Sequence, residues 1–172
     1  MPEPVNATAA ALLGLLRDGP ASGYDLYQRA ASELGDFWTV TRSQVYRELT
    51  ALAERGLVTT GEAGARARRD VALTDEGARA FADWLASDPV GEVVRIPLLL
   101  RLAFADALPE ARLRDMVAAA RAAHAARLVE YEEVERAAQE AGAGDRDLVT
   151  LRFGLRYERA VLAWLDEDVR RL

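Results

Sequence analysis

The sequence contains no cysteine, no lysine and a single histidine, His124. Without cysteine there is no disulfide framework, no thiol nucleophile and no thiolate zinc site, and a reducing cytoplasm is the expected compartment. Metal binding would need ligands that the sequence does not gather around its lone histidine, so no metal and no cofactor are expected. No apolar run approaches the roughly 20 residues of a bilayer span. The longest, Ile96 to Ala105, is broken by Arg101 and stops at Asp106. The start Met1-Pro2-Glu3-Pro4 lacks the basic residues and apolar core of a signal peptide. There is also no glycine-rich phosphate loop. Catalysis would fall to paired carboxylates, and the cluster Glu130, Glu132, Glu133 and Glu135 sits where a long helix is expected to show its solvent face. An enzyme is therefore not expected.

What is present is an ordinary globular composition over 172 residues, 51% hydrophobic and 29% charged, with a net charge of −6. All 22 basic residues are arginine, a bias that with the abundant alanine reflects GC-rich codons more than function. The net charge argues against indiscriminate nucleic-acid binding, but its distribution is uneven. From Thr39 to Arg69 the arginines 42, 47, 55, 66, 68 and 69 face only Glu48, Glu54 and Glu62.

Hydrophobic spacing divides the chain. Ala9, Leu12, Leu13, Leu15 and Leu16 predict a first helix ending at Asp18-Gly19-Pro20. Ser22 with Asp25 three residues on predicts the cap of a second, continued by Tyr24, Leu26, Tyr27, Ala30 and Leu34 at helical spacing up to Gly35. Thr41-Arg42-Ser43-Gln44 has the same capping-box form and opens a third helix, its inner face Val45, Leu49 and Leu52, that stops at Gly56. The period then changes to two. Leu57 to Thr60 and Asp70 to Leu73 read as a small hairpin with an arginine-bearing tip. Thr74 caps a fourth helix with Asp75 and Glu76 in its first turn and Ala78, Phe81, Trp84 and Leu85 as its buried face. Ser87 to Gly91 closes it, giving domains 1–88 and 89–172.

The second half reads as helical throughout. Pro97 opens a short helix and Pro109 a long one reaching to about Ala141, before Gly142-Ala143-Gly144. Leu113, Val117, Ala120, His124, Leu128, Tyr131, Val134 and Ala138 form its stripe. Leu148, Leu151, Leu155, Leu162, Leu165, Val169 and Leu172 form that of the last helix. Two long striped helices joined by Gly-Ala-Gly suggest an antiparallel hairpin, too long to be covered by one small domain. A homodimer is expected, with Leu113, Val117, Leu128, Tyr131, Leu155, Leu162 and Leu165 as its dimerisation residues.

The fold class is thus mainly α: an N-terminal winged helix-turn-helix with a small β-hairpin wing, and a C-terminal antiparallel helical dimerisation domain. In such a module the third helix buries one face and offers its N-terminal end to the major groove. Thr41, Arg42, Ser43, Gln44, Tyr46 and Arg47 occupy that end. Arginine pairs bidentately with guanine and glutamine with adenine, so the residue types suit base reading. Arg66, Arg68 and Arg69 lie where a wing touches the DNA backbone. Phe37, Trp38, Phe104, Tyr157 and Trp164 are candidate flat walls of an apolar effector pocket between the DNA-binding module and the dimer helices, a site for an aromatic or drug-like compound. The alternative is a winged-helix protein-interaction module without DNA binding, favoured by the acidic balance and opposed by the placement of the arginines.

Taken in order, Leu12-Leu13-Gly14-Leu15-Leu16, Ser22-Gly23-Tyr24-Asp25-Leu26, Ser43-Gln44-Val45-Tyr46, Leu52-Ala53-Glu54-Arg55-Gly56-Leu57-Val58 and Leu73-Thr74-Asp75-Glu76-Gly77 resemble the PadR family of bacterial transcriptional regulators. The second half, from Pro97-Leu98-Leu99-Leu100-Arg101-Leu102, is similar to the family's larger subgroup. The resemblance implies a homodimeric repressor on a pseudo-palindromic operator, with C-terminal helices exchanged between subunits and an effector that loosens DNA binding. Two positions depart from the family pattern. Arg47 stands where a proline commonly follows the tyrosine of the recognition helix, and Val71-Ala72 replaces an aromatic near the wing base.

Overall fold

The computed structural model describes residues 4–35, 37–61, 69–88, 91 and 94–169. The chain divides into two units, Met1–Gly91 and Glu92–Leu172. Arg66, Arg68 and Leu172, singled out from the sequence, lie outside the described residues.

The first unit begins with α1 (Ala7–Leu15), capped by the Asn6 side chain, which accepts from the Ala9 amide. A 3₁₀ turn, Leu16–Asp18, carries it to the Gly19-Pro20 break. Arg29 closes this corner: it donates to the Leu15 carbonyl at 2.8 Å and pairs with Glu33 and Asp18. Those two acids, Glu33 first, hold its guanidinium above the ordinary arginine range. Helix α2 (Gly23–Arg29) has the expected capping box between Ser22 and Asp25. The periodicity predicted one continuous helix to Gly35, whereas Ala30–Leu34 form a π turn. Tyr24, in the same apolar pattern as the buried Leu26 and Ala30, is 47% exposed.

Helix α3 (Arg42–Glu54) buries Val45, Leu49 and Leu52, as its spacing requires. It ends in a Schellman motif: the Leu57 amide donates to the Leu52 carbonyl and the Gly56 amide to that of Ala53. Gly56 has φ +70°, the left-handed conformation this motif needs and one that a Cβ disfavours. Strands β2 (Val58–Thr60) and β3 (Asp70–Leu73) pair antiparallel with Val58 opposite Leu73 and Thr60 opposite Val71. A third strand, β1 (Ala21–Ser22), adds to the other edge of β3, giving the order β1-β3-β2. At two residues it is too short to carry a period, so the sequence pattern showed only the hairpin.

Thr74 caps α4 (Asp75–Ala86) by accepting from the Gly77 amide, while its hydroxyl donates to the Gly56 carbonyl. This ties α4 to the end of α3. Its inner face is Gly77, Ala80, Phe81 and Trp84; Ala78 and Leu85, expected inside, are exposed, because at about 100° per residue they lie a quarter turn to one side of that stripe. The core of the unit joins Leu12, Leu13, Leu26, Val45 and Leu52 from the first three helices. This is a winged helix-turn-helix.

The second unit is all helical: α5 (Pro97–Leu102), a 3₁₀ turn Ala105–Ala107, α6 (Glu110–Glu140) and α7 (Val149–Glu167). Helix α6 has 31 residues and runs about 46 Å. It folds back on α7 as the expected antiparallel hairpin. The seam is laced by Arg121–Asp166, His124–Glu158, Arg159–Glu132 and Arg152–Glu135. Among the described residues, no helix is long and apolar enough to cross a membrane.

Candidate nucleic-acid interface

The N-terminal end of α3 is shaped by its cap. The Gln44 amide donates to Thr41 Oγ1 at 3.2 Å, and the Thr41 amide donates back to Gln44 Oε1 at 2.8 Å. The Thr41 hydroxyl also reaches Gln44 Oε1, at 3.0 Å. The side-chain carbonyl of Gln44 is therefore committed to the backbone. A bidentate contact with adenine requires an acceptor as well as a donor, so the capping box competes with the adenine-reading role inferred from residue type. Both features were legible in Thr41-Arg42-Ser43-Gln44; only the hydrogen bonds decide between them.

Thr41, Arg42, Ser43 and Arg47 are all exposed, and Tyr46 is 44% exposed. Burial of Val45, Leu49 and Leu52 fixes this orientation, since on a helix the positions between them point away from the core. Tyr46 is not a core aromatic; its ring lies over the N-terminus of α2, where a Cβ on Gly23 would stand 2.9 Å from its Cε1. The Arg42 guanidinium carbon lies 5.7 Å from the centre of the Tyr24 ring and 5.6 Å from that of Tyr46. Spacing put Tyr24 within the apolar pattern of the second helix and gave it no part in this surface. A signal was available: the five apolar positions 24, 26, 27, 30 and 34 span more of the helix circumference than one buried face.

The arginines of this surface are not equivalent. Arg47 pairs with Glu48 at 3.4 Å, and Glu48 also accepts from Asn6 at 3.0 Å. Arg42 has no acidic partner among the described residues, and Arg69, at the start of β3, is exposed.

The other candidate residues fall as follows. Of the seven dimerisation residues, Tyr131, Leu155 and Leu165 are buried within the single chain, and Leu113, Val117, Leu128 and Leu162 are half-buried. The Tyr131 ring packs on Gly154 across the hairpin. An apolar stripe on a helix marks whatever it packs against, and for these three residues the single chain already buries them. The apolar residues left open on α7 are Val149, Phe153 and Tyr157. Of the five aromatics assigned to an effector pocket, Phe37 and Trp38 are exposed in the first unit, Tyr157 is exposed and Trp164 half-buried in the second. Phe104 lines a concavity of about 360 Å³ between α5 and α6. His124 Nδ1 shares a hydrogen bond of 2.5 Å with Glu158 Oε2, and Glu158 is 2% exposed. Glu158 falls between Leu155 and Leu162 in the apolar stripe of α7, an interruption that the sequence reading passed over. No cluster of three or more metal-ligating side chains exists among the described residues.

Comparison with known proteins sets this geometry in context. Residues 12–83 match the Transcriptional regulator PadR-like family, and residues 94–172 match the Virulence activator alpha C-term family. The negative transcriptional regulator PadR of Bacillus subtilis is 36% identical over 110 residues, covering 62% of this chain and 60% of that protein. In sequence the chain thus spans about 60% of that relative. A probable transcriptional regulator of Mycobacterium tuberculosis is 29% identical over 91% of this chain and 93% of its own length. The crystal structure of Bacillus subtilis PadR in complex with operator DNA superposes with a TM-score of 0.81 at 27% identity, over 99% of this chain and 100% of that one. The same protein in complex with p-coumaric acid superposes with a TM-score of 0.72 at 27% identity, over 94% and 95% of the two chains. With a winged module whose helix start presents arginine and tyrosine, and a likeness running the length of a regulator seated on its operator, this chain carries a PadR-like module over residues 12–83.

Proposed function

We propose that this chain is a DNA-binding transcriptional regulator, a homodimeric repressor that sets two α3 N-termini in successive major grooves of a pseudo-palindromic operator and is released by a small-molecule effector. The observation that carries the reading is Arg42, exposed at the start of α3 with no acidic partner among the described residues. Its guanidinium keeps the donor fork that bonds guanine bidentately. Arg69, with Arg66 and Arg68 of the preceding segment, would contact backbone phosphate. Thr41, Ser43, Tyr46 and Arg47 would fix the helix on the duplex through sugar–phosphate contacts. Two such surfaces, one per subunit, fit half-sites about 34 Å apart.

The second unit would supply the dimer, through the open stripe Val149, Phe153 and Tyr157 and the half-buried Leu113, Val117, Leu128 and Leu162. The effector reading is supported by the α5–α6 concavity, where Leu100, Phe104, Leu108 and Met116 offer apolar walls beside Arg101 and Arg112. Neither arginine has an acidic partner among the described residues, a pairing suited to an aromatic acid. The ligand named for the Bacillus complex, p-coumaric acid, is of that class.

Gel-shift titration on the DNA upstream of the chain's own gene, repeated across a salt series, tests the DNA reading. Retardation that weakens linearly in log–log form with salt is expected from counterion release. No retardation at low salt overturns it in favour of the protein-interaction module.

A further inference from the structure

We propose that Tyr24, on α2, is a positioning residue for sequence discrimination: with Tyr46 it holds the Arg42 guanidinium in the direction in which it reads a base edge. This rests on the reading of α3 as the base-contacting helix. The two ring centres lie 5.7 and 5.6 Å from the guanidinium carbon, both within cation–π range. They come from different helices, so Arg42 is held by tertiary structure and not by α3 alone. Each ring has its own seat. The Tyr46 ring rests against Gly23, where any side chain would collide, and the Tyr24 hydroxyl accepts from Gln28 Nε2 at 2.7 Å.

The chemistry of the contact matters as much as its distance. The guanidinium has five N–H donors, and a ring contact leaves most of them available for a base edge. Contact with two rings restricts the rotamers of Arg42, and no hydrogen bond or ion pair takes one of its donors among the described residues. Its neighbours contrast. Arg47 is partly neutralised by Glu48, and the Gln44 carbonyl is held by the Thr41 amide. An unrestrained exposed arginine would have to give up its rotamer freedom on binding, which weakens the correct contact. Arg42 has already given up much of it, and Tyr24 is the part of that restraint that the base-reading helix does not itself provide.

The test uses the full chain and the duplex it selects from a random pool, with binding followed by fluorescence anisotropy on that duplex and on single-base variants of it. Tyr24 is nearly half exposed, so Tyr24→Leu should fold, with Tyr24→Gln as a second variant and the thermal midpoint as control. Tyr24→Leu is expected to cut the preference for the selected duplex about three- to tenfold, the scale of one ring–guanidinium contact. Tyr24→Phe, which keeps the ring, should retain the preference. In an Arg42→Ala background, Tyr24→Leu should change nothing further. Unaltered preference in Tyr24→Leu, or the same loss with and without Arg42, overturns the positioning role while leaving base reading by Arg42 intact. Full preference in Arg42→Ala overturns that underlying reading as well, as does a wild-type chain that selects no duplex.

Discussion

Replacing His124 by alanine removes the partner of a carboxylate that has almost no access to water. Glu158 is 2% exposed and its Oε2 hydrogen-bonds His124 Nδ1 at 2.5 Å across the α6–α7 seam. Breaking a buried pair from one side costs about 3–5 kcal/mol, because the remaining charge loses both partner and hydration. The His124 side chain is 26% exposed, so water can enter the space it leaves, which favours the lower end of that range. Its edge contact with Tyr157, ring centres 6.4 Å apart, adds about 0.5 kcal/mol. His124→Ala should therefore destabilise the chain by about 3 kcal/mol, a drop in thermal midpoint of roughly 6–12 °C for a chain of this size. The informative comparison is His124→Leu/Glu158→Leu, which removes both polar groups and keeps apolar volume in the seam. It should lie within about 1 kcal/mol of the wild type, since a buried pair replaced as a unit is often nearly neutral. Urea unfolding followed by circular dichroism at 222 nm, at one fixed protein concentration, gives both values. A single variant within about 0.5 kcal/mol of wild type, or a double variant as unstable as the single one, would show that Glu158 is not held by this pair.

Two further outcomes follow from the fold. Gly56→Ala forces a Cβ into the left-handed turn that ends α3 and should cost about 1–2 kcal/mol by the same unfolding assay; no change would mean the turn relaxes elsewhere. Phe153, 67% exposed on α7, should contribute little to the stability of a single chain but much to association. Phe153→Glu is expected to shift sedimentation toward monomer, and an unaltered dimer would place the contact on another face.

The sequence by itself determined the local elements and most of the fold. Ser22, Thr41 and Thr74 each cap the helix predicted for them, because a cap is a contact made within three or four residues of chain. Burial of Val45, Leu49 and Leu52 followed from period alone, and with it the exposure of Arg42 and Arg47. Tertiary structure decided what each exposed or striped residue meets. The two-residue strand β1 exists only because β3 offers it an edge. Tyr131, Leu155 and Leu165 belong to a stripe that could serve two helices of one chain or of two, and folding back of α7 buried them in the first. Tyr24 joins Arg42, and Glu158 joins His124, across 18 and 34 residues. Periodicity names the face on which a side chain lies, whereas its partner depends on how separate helices cross, and that is fixed only when the core closes.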